Sequence, residues 1–233
     1  RPIIDQLKDK GRVDRGWLGV SMQPVSEDIA EALGLGEPRG ALVADVFDGS
    51  PAKRAGVKSG DVILKFGGAA IDSAHELPRV VADRKAGETV AMEIWRQDRM
   101  ITKSVKIANR SESPVARDAD GGKPEEPQRR VDGSLGIHMA ELTPEVRKRL
   151  DIPPDVEGAL IVEVEPGTPA AAAGLEPGDV IEMVGSRIVS EPEDVKDAVE
   201  KAGKQSRTNI LLRLNRNGAK SFVAVPSNVS AMD

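Results

Sequence analysis

Residues 49–63 read G-S-P-A-K-R-A-G-V-K-S-G-D-V-I, and residues 167–181 read G-T-P-A-A-A-A-G-L-E-P-G-D-V-I. Pro51 pairs with Pro169 and Asp61 with Asp179, an offset of 118 in both cases. The register extends outward. Gly40-Ala41-Leu42-Val43 answers Gly158-Ala159-Leu160-Ile161 at 118, and Leu18-Gly19-Val20 answers Leu135-Gly136-Ile137 at 117. A period this long is a duplicated domain rather than the 20–50 residue period of a solenoid. Each copy has about 95 residues, a size at which a small core still folds alone. The chain is a tandem.

Composition removes several function classes. The chain has 233 residues, 30% of them charged, with a net charge of −5 and no Cys. Without Cys there are no disulfides, Fe–S clusters, thiolate zinc sites or Cys nucleophiles. An acidic chain carries no global basic footprint for nucleic acid. The aromatics are Trp17, Phe47, Phe66, Trp95 and Phe222, too few and too scattered for a base-stacking platform. No apolar run approaches a membrane span. The start, R-P-I-I-D, is no signal peptide, so a cytosolic protein or a mature or truncated one is expected. His75 and His138 are the only histidines. Two His without Cys make a poor metal site, so neither a metal nor a cofactor is expected.

Between the copies, residues 109–131 are rich in Ser, Pro, Gly and charge. Such composition buries little and predicts a flexible linker. The organisation expected is therefore 1–14 as a connector, 15–108 as the first domain, 109–131 as the linker, 132–228 as the second domain and 229–233 as a tail.

Within a copy the hydrophobic period alternates between strand and helix. Val20–Pro24 reads as a strand with Leu18, Val20 and Met22 on one side. Ser26 reads as the N-cap of a helix that stops at Gly34. Ala41–Val46 and Asp61–Phe66 read as strands, with a short helix from Pro51 to a C-cap at Gly56. Ser73-Ala74-His75-Glu76 has capping-box spacing, but Pro78 would cost a bond in a helix begun at Ala74, so a later start or a kink is expected. Val90–Trp95 and Met100–Ile107 close the copy as a hairpin, and the second copy ends likewise around Asn215-Arg216-Asn217-Gly218. The class predicted is α+β, mostly β: two small half-open barrels, each of five or six strands with two helices.

A Φ-G-Φ loop entering a strand, then G-[ST]-P-A-x-x-A-G and G-D-V-I, resembles a PDZ domain. With the loop strand first, the order is similar to the permuted PDZ domains of bacterial HtrA proteases. Residues 1–15 resemble the last helix and connector of their protease domain. The whole resembles the paired PDZ domains of a Do-type HtrA serine endoprotease, without its catalytic domain.

The peptide-binding reading also has a physical basis. In Trp17-Leu18-Gly19-Val20 and Ser134-Leu135-Gly136-Ile137, Gly lets the chain turn so that successive N–H groups face one spot. Such a nest suits a C-terminal carboxylate, and the free edge of the strand that follows suits strand addition by an extended peptide. The resemblance assigns Leu18, Val20, Met22, Leu77 and Val81 to a hydrophobic pocket for the last ligand side chain. In the second copy the matching positions are Leu135, Ile137, Met139, Val195 and Val199. Arg15 is placed to add positive charge near the carboxylate, where the second copy has Asp132.

Asp61 and Asp179 are expected to be turn residues rather than catalytic acids. The family's nucleophile string G-N-S-G-G is absent, so this chain alone is expected to have no protease activity. The resemblance implies a substrate-recognition and regulatory module for hydrophobic C-termini or extended segments of unfolded proteins, serving quality control in the periplasm of a Gram-negative bacterium. It implies as partners the protein's own protease domain and neighbouring subunits of a trimer-based homo-oligomer, and neither nucleic acid nor a transmembrane segment. The alternative is a PDZ pair that serves mainly as cage-assembly contacts.

Overall fold

The computed structural model describes residues 16–109, 130–132, 135–203 and 208–227. The expected connector, Arg15, Ser134 and residues 110–129 of the expected linker lie outside the described residues, as do residues 229–233. The chain divides into two compact units, 1–25 with 38–116 and 26–37 with 117–233.

In the first copy, β1 (Gly16–Trp17) pairs with β8 (Ala108–Asn109) as a two-stranded ribbon. The main sheet has β2 (Val20–Pro24), β3 (Ala41–Val46), β4 (Val62–Phe66), β6 (Thr89–Arg96) and β7 (Arg99–Lys106) in that order. A short β5 (Ala69–Ala70) folds back on β4. All pairs are antiparallel, and β2 stands at one end of the path. The helices are α1 (Glu27–Ala32), α2 (Pro51–Arg54) and α3 (Glu76–Ala82).

The local sequence explains where these helices start. The Ser26 hydroxyl accepts from the Ile29 N–H and the Ser50 hydroxyl from the Lys53 N–H, each satisfying a donor of the first turn. For α3 the capping box does not form. The Glu76 carboxylate instead accepts from the Asp72 N–H at 3.0 Å. The helix begins at Glu76, as Pro78 requires: the proline then lies in the first turn, where its missing N–H has no intrahelical partner to lose. The hairpin turn Gln97-Asp98 has φ of 50° and 58°, the left-handed pair that matches the twist of the flanking strands.

The second copy repeats the plan with β9 (Arg130–Asp132), β10 (Ile137–Glu141), β11 (Ala159–Val164), β12 (Val180–Val184), β13 (Arg187–Ile188), β14 (Asn209–Arg216) and β15 (Ala219–Pro226). Its helices are α4 (Pro144–Arg149), α5 (Pro169–Ala172) and α6 (Pro192–Gly203). The sheet runs β15-β14-β12-β11-β10-β9, with β13 on β12. The class is α+β, mostly β, with three helices per copy rather than two and with open sheets that do not close into barrels. Asn109, Arg130 and Val131, which composition places in the linker, are strand residues.

Each copy has its own aliphatic core. In the first, Leu18, Val43, Ile63, Phe66, Leu77 and Ile94 pack together, and in the second Leu135, Ile161, Ile181, Val195 and Leu212 do so. The loop leucine and the groove-helix residue of each copy belong to these clusters, so the loop is anchored to the core.

Candidate functional site

The loop before β2 is shaped by α2. The Ala52 N–H donates to the Leu18 carbonyl at 3.0 Å, and the Phe47 N–H to the Gly19 carbonyl at 3.1 Å. A trans peptide sets its N–H opposite its C=O. With both carbonyls drawn toward the β3–α2 segment, the N–H groups of Gly19 and Val20 face the other way. Among the described residues, the Gly19 N–H donates to no backbone carbonyl. Gly19 has φ +78°, and a Cβ there would lie 2.3 Å from Ser50 Cβ. The loop thus rests on the N-cap of α2 and admits no side chain. The second copy repeats this: Ala170 N–H to Leu135 O at 3.3 Å, Glu165 N–H to Gly136 O at 2.8 Å, and Gly136 at φ +74° against Thr168.

The repeated G-[ST]-P-A string is therefore the platform of the Φ-G-Φ loop. Ser50, Ala52 and Ala170 are wholly buried beneath it, and Thr168 is partly buried. The sequence signal for this link was the co-occurrence of both motifs in both copies.

The two grooves differ. Beside the first loop, Val20 and Met22 of β2 are partly exposed, next to a core that contains Leu18, Leu77 and Val81. Among the described residues, the edge of β2 opposite β3 carries no further strand. In the second copy, Ile137 and Met139 are 0% and 2% exposed and form one cluster with Leu135, Val195 and Val199. The edge of β10 opposite β11 is paired with β9, in the register Ile137↔Asp132, His138↔Val131, Met139↔Arg130. The edge expected to be free is paired in the second copy, and the residues of the first copy that match β9, 13–15, lie outside the described residues. Helix placement differs too: α6 packs against β10, β11 and β12, whereas α3 packs mainly against β1 and β4.

Asp61 and Asp179 do close turns, accepting from the N–H groups of Lys58 and Glu176. Each also holds an arginine from the end of the hairpin. Arg96 donates to both Asp61 carboxylate oxygens at 2.6 and 2.7 Å and to the Gly56 carbonyl at 2.8 Å. Arg216 does the same with Asp179 and the Gly174 carbonyl. Hydrogen bonds to the carboxylate raise both guanidinium pKa values, against an opposing effect of burial. These clamps tie the G-D-V-I turn to the last hairpin and stand apart from the groove strands. The partners are 35 and 37 residues apart, so no local pattern reveals them.

Other polar candidates have structural partners. The Ser50 hydroxyl is a wholly buried helix cap. His138 lies 3.2 Å from Glu165, and no His/Cys/Asp/Glu group suited to a metal occurs among the described residues. No described helix is long and apolar enough to cross a membrane.

Residues 16–107 and 160–214 each match a PDZ-domain family model, together more than half of the chain. Over 230 residues, 98% of its length, the chain is 36% identical to a probable periplasmic serine endoprotease, DegP-like, of Brucella suis, and covers 42% of that protein. It is also 36% identical over 221 residues to the protein of the same name in Pseudomonas fulva, covering 95% of this chain and 44% of the relative. Among solved structures, the HtrA-type protease AlgW with a decapeptide matches at 30% identity and a TM-score of 0.44, over 48% of this chain and 34% of that one. The chain spans less than half the length of these curated relatives. The motifs, the doubled sheet plan and the family matches agree: the chain belongs to the PDZ family, as a tandem pair of the HtrA type.

Proposed function

We propose that this tandem is the non-catalytic recognition and regulatory module of an HtrA/Do-type serine endoprotease, and that it captures hydrophobic C-termini or extended segments of unfolded proteins by strand addition. The observation that carries this reading is the first groove. It combines outward-facing N–H groups at Gly19 and Val20, a β2 edge on which no described strand pairs, and partly exposed Val20 and Met22 beside Leu77 and Val81. Each part matches one part of a peptide end: nest to carboxylate, edge to backbone, apolar lining to the last side chain. Arg15, from its place in the sequence, adds positive charge near the carboxylate. The compartment is the Gram-negative periplasm, as in the names of the relatives. The full-length protein cleaves what the module delivers, working with its own protease domain and neighbouring subunits of a trimer-based assembly.

A short groove gives a modest affinity, on the order of micromolar or near −8 kcal/mol. Calorimetry with peptides ending in Val, Leu or Phe tests the reading. A free terminus is expected to bind and its amide to lose binding; equal binding of the amide contradicts the carboxylate nest. A second reading, that the pair serves assembly, is favoured for the second copy by the burial of Ile137 and Met139. Sedimentation of the chain with and without peptide separates the two roles.

A further inference from the structure

We infer that the groove of the second copy is occupied by its own chain: β9, Arg130–Asp132, holds the β10 edge that an incoming peptide would need. This deepens the proposed peptide-binding function and rests on it. Two independent observations meet here. The first is backbone register. β9 pairs antiparallel with β10 on the side away from β11, and its C-terminal residue lies opposite Ile137, next to the Gly136 loop. A peptide whose carboxylate sat in that loop would run in the same direction along the same edge. The second is side-chain burial. Ile137 and Met139 are sealed in the core of their own copy, whereas Val20 and Met22, their counterparts, remain partly exposed.

Chain connectivity favours the internal strand. Four residues separate Asp132 from Ile137, so β9 competes as an intramolecular ligand. For a short tether the effective concentration is on the order of millimolar, well above the dissociation constant of a micromolar peptide. An external peptide must displace β9 and also open the apolar lining. The second groove is then closed in the resting chain. Any binding event that draws residues 130–132 away would uncover the second.

Nuclear magnetic resonance on the full 233-residue chain tests this, because each groove reports through its own amides. The probe is a decapeptide ending in Val with a free carboxylate. Two variants release β9 by different means: Asp132→Pro, which removes the N–H paired opposite Ile137 and fixes φ, and the triple replacement of Arg130, Val131 and Asp132 by Gly, which removes the side chains and makes the strand costlier to order. In the parent chain the amides of Val20–Gln23 are expected to shift with at least tenfold tighter affinity than those of Ile137–Ala140. In both variants the Ile137–Ala140 affinity should rise at least tenfold, about 1.4 kcal/mol, while the Val20–Gln23 affinity stays within twofold. An unchanged second-groove affinity in both variants overturns the inference. Hydrogen exchange without peptide separates it from the binding reading. Faster exchange at β10 in the variants supports occupancy by β9 even if the peptide binds neither groove, and unchanged exchange in both overturns it.

Discussion

The two copies share one scaffold and differ where a ligand would touch. Both set a glycine loop on a short helix with Ser or Thr as its cap and Pro at its first position, and both clamp the G-D-V-I turn to the last hairpin with a bidentate arginine. The second pairs a further strand with its groove edge and seals the groove residues that the first leaves partly exposed. The second also buries a polar group where the first buries Leu64. Glu182 accepts from Asn215 Nδ2 at 2.9 Å and lies 2.9 Å from Arg213 Nε, an ionic contact too bent to count as a hydrogen bond. Duplication has therefore retained the loop platform and the clamp while the strand edge, the groove packing and one core position diverged.

The largest expected effect tests the shared part. Asp61→Ala leaves Arg96, 19% exposed, without its carboxylate partner. Breaking a buried pair from one side costs about 3–5 kcal/mol. Asp179→Ala should cost less, roughly 1–3 kcal/mol. Arg216 is 41% exposed and keeps Glu176 at 3.2 Å. Urea unfolding checks this copy by copy. Both tryptophans, Trp17 and Trp95, lie in the first copy, so fluorescence follows that copy, and circular dichroism, which follows both, reads the second. Equal losses for the two substitutions would mean that the clamps do not depend on solvent exposure.

Next in size is the loop glycine, which separates fold from binding. Gly19→Val forces a β-branched residue into φ +78° against Ser50, a strain of roughly 1–3 kcal/mol. Gly136→Val meets the same strain against Thr168. Stability should fall in both. Peptide affinity measured by calorimetry should drop at least tenfold for Gly19→Val and stay within twofold for Gly136→Val. A matching loss at Gly136 would show that the second groove contributes to binding in the parent chain.

Much of this was legible in the chain because the deciding signals are local. The string from Ser50 to Gly56 carries a cap, an N1 proline and a stop within seven residues, and the helix Pro51–Arg54 follows. Ser26 and the Asn217-Gly218 turn are equally local. The Asp–Arg clamps were hidden because their partners meet only after the sheet forms. The β9 strand was hidden for another reason. Polar composition over 109–131 argues for a solvated linker, but an edge strand needs little burial when a neighbouring backbone offers a ladder. The expected box at Ser73 failed because Pro78 sets the start of its helix, and Glu76 then caps Asp72 instead. Val20, Met22, Leu77 and Val81 and their counterparts lie on strands and helices as the periodicity implies, but alternation cannot tell an open groove from a sealed one.

The smallest effect concerns the caps beneath the loops. Ser50 Oγ accepts from the Lys53 N–H at 3.1 Å, and Thr168 Oγ1 accepts from the Ala171 N–H at 3.4 Å while donating to the Glu165 carbonyl at 2.7 Å. Replacing either with Ala should cost about 1 kcal/mol. The reasons differ: Ser50→Ala loses a well-formed cap, whereas Thr168→Ala loses a long cap together with a short loop bond and the methyl beneath Gly136. Each substitution also frees the peptide loop above it. If only the first loop receives a peptide, Ser50→Ala should weaken calorimetric affinity a few-fold, and Thr168→Ala should lower the unfolding midpoint of its own copy with no change in affinity. Equal losses of affinity would place ligand on both loops and reduce the difference between the copies to one of packing.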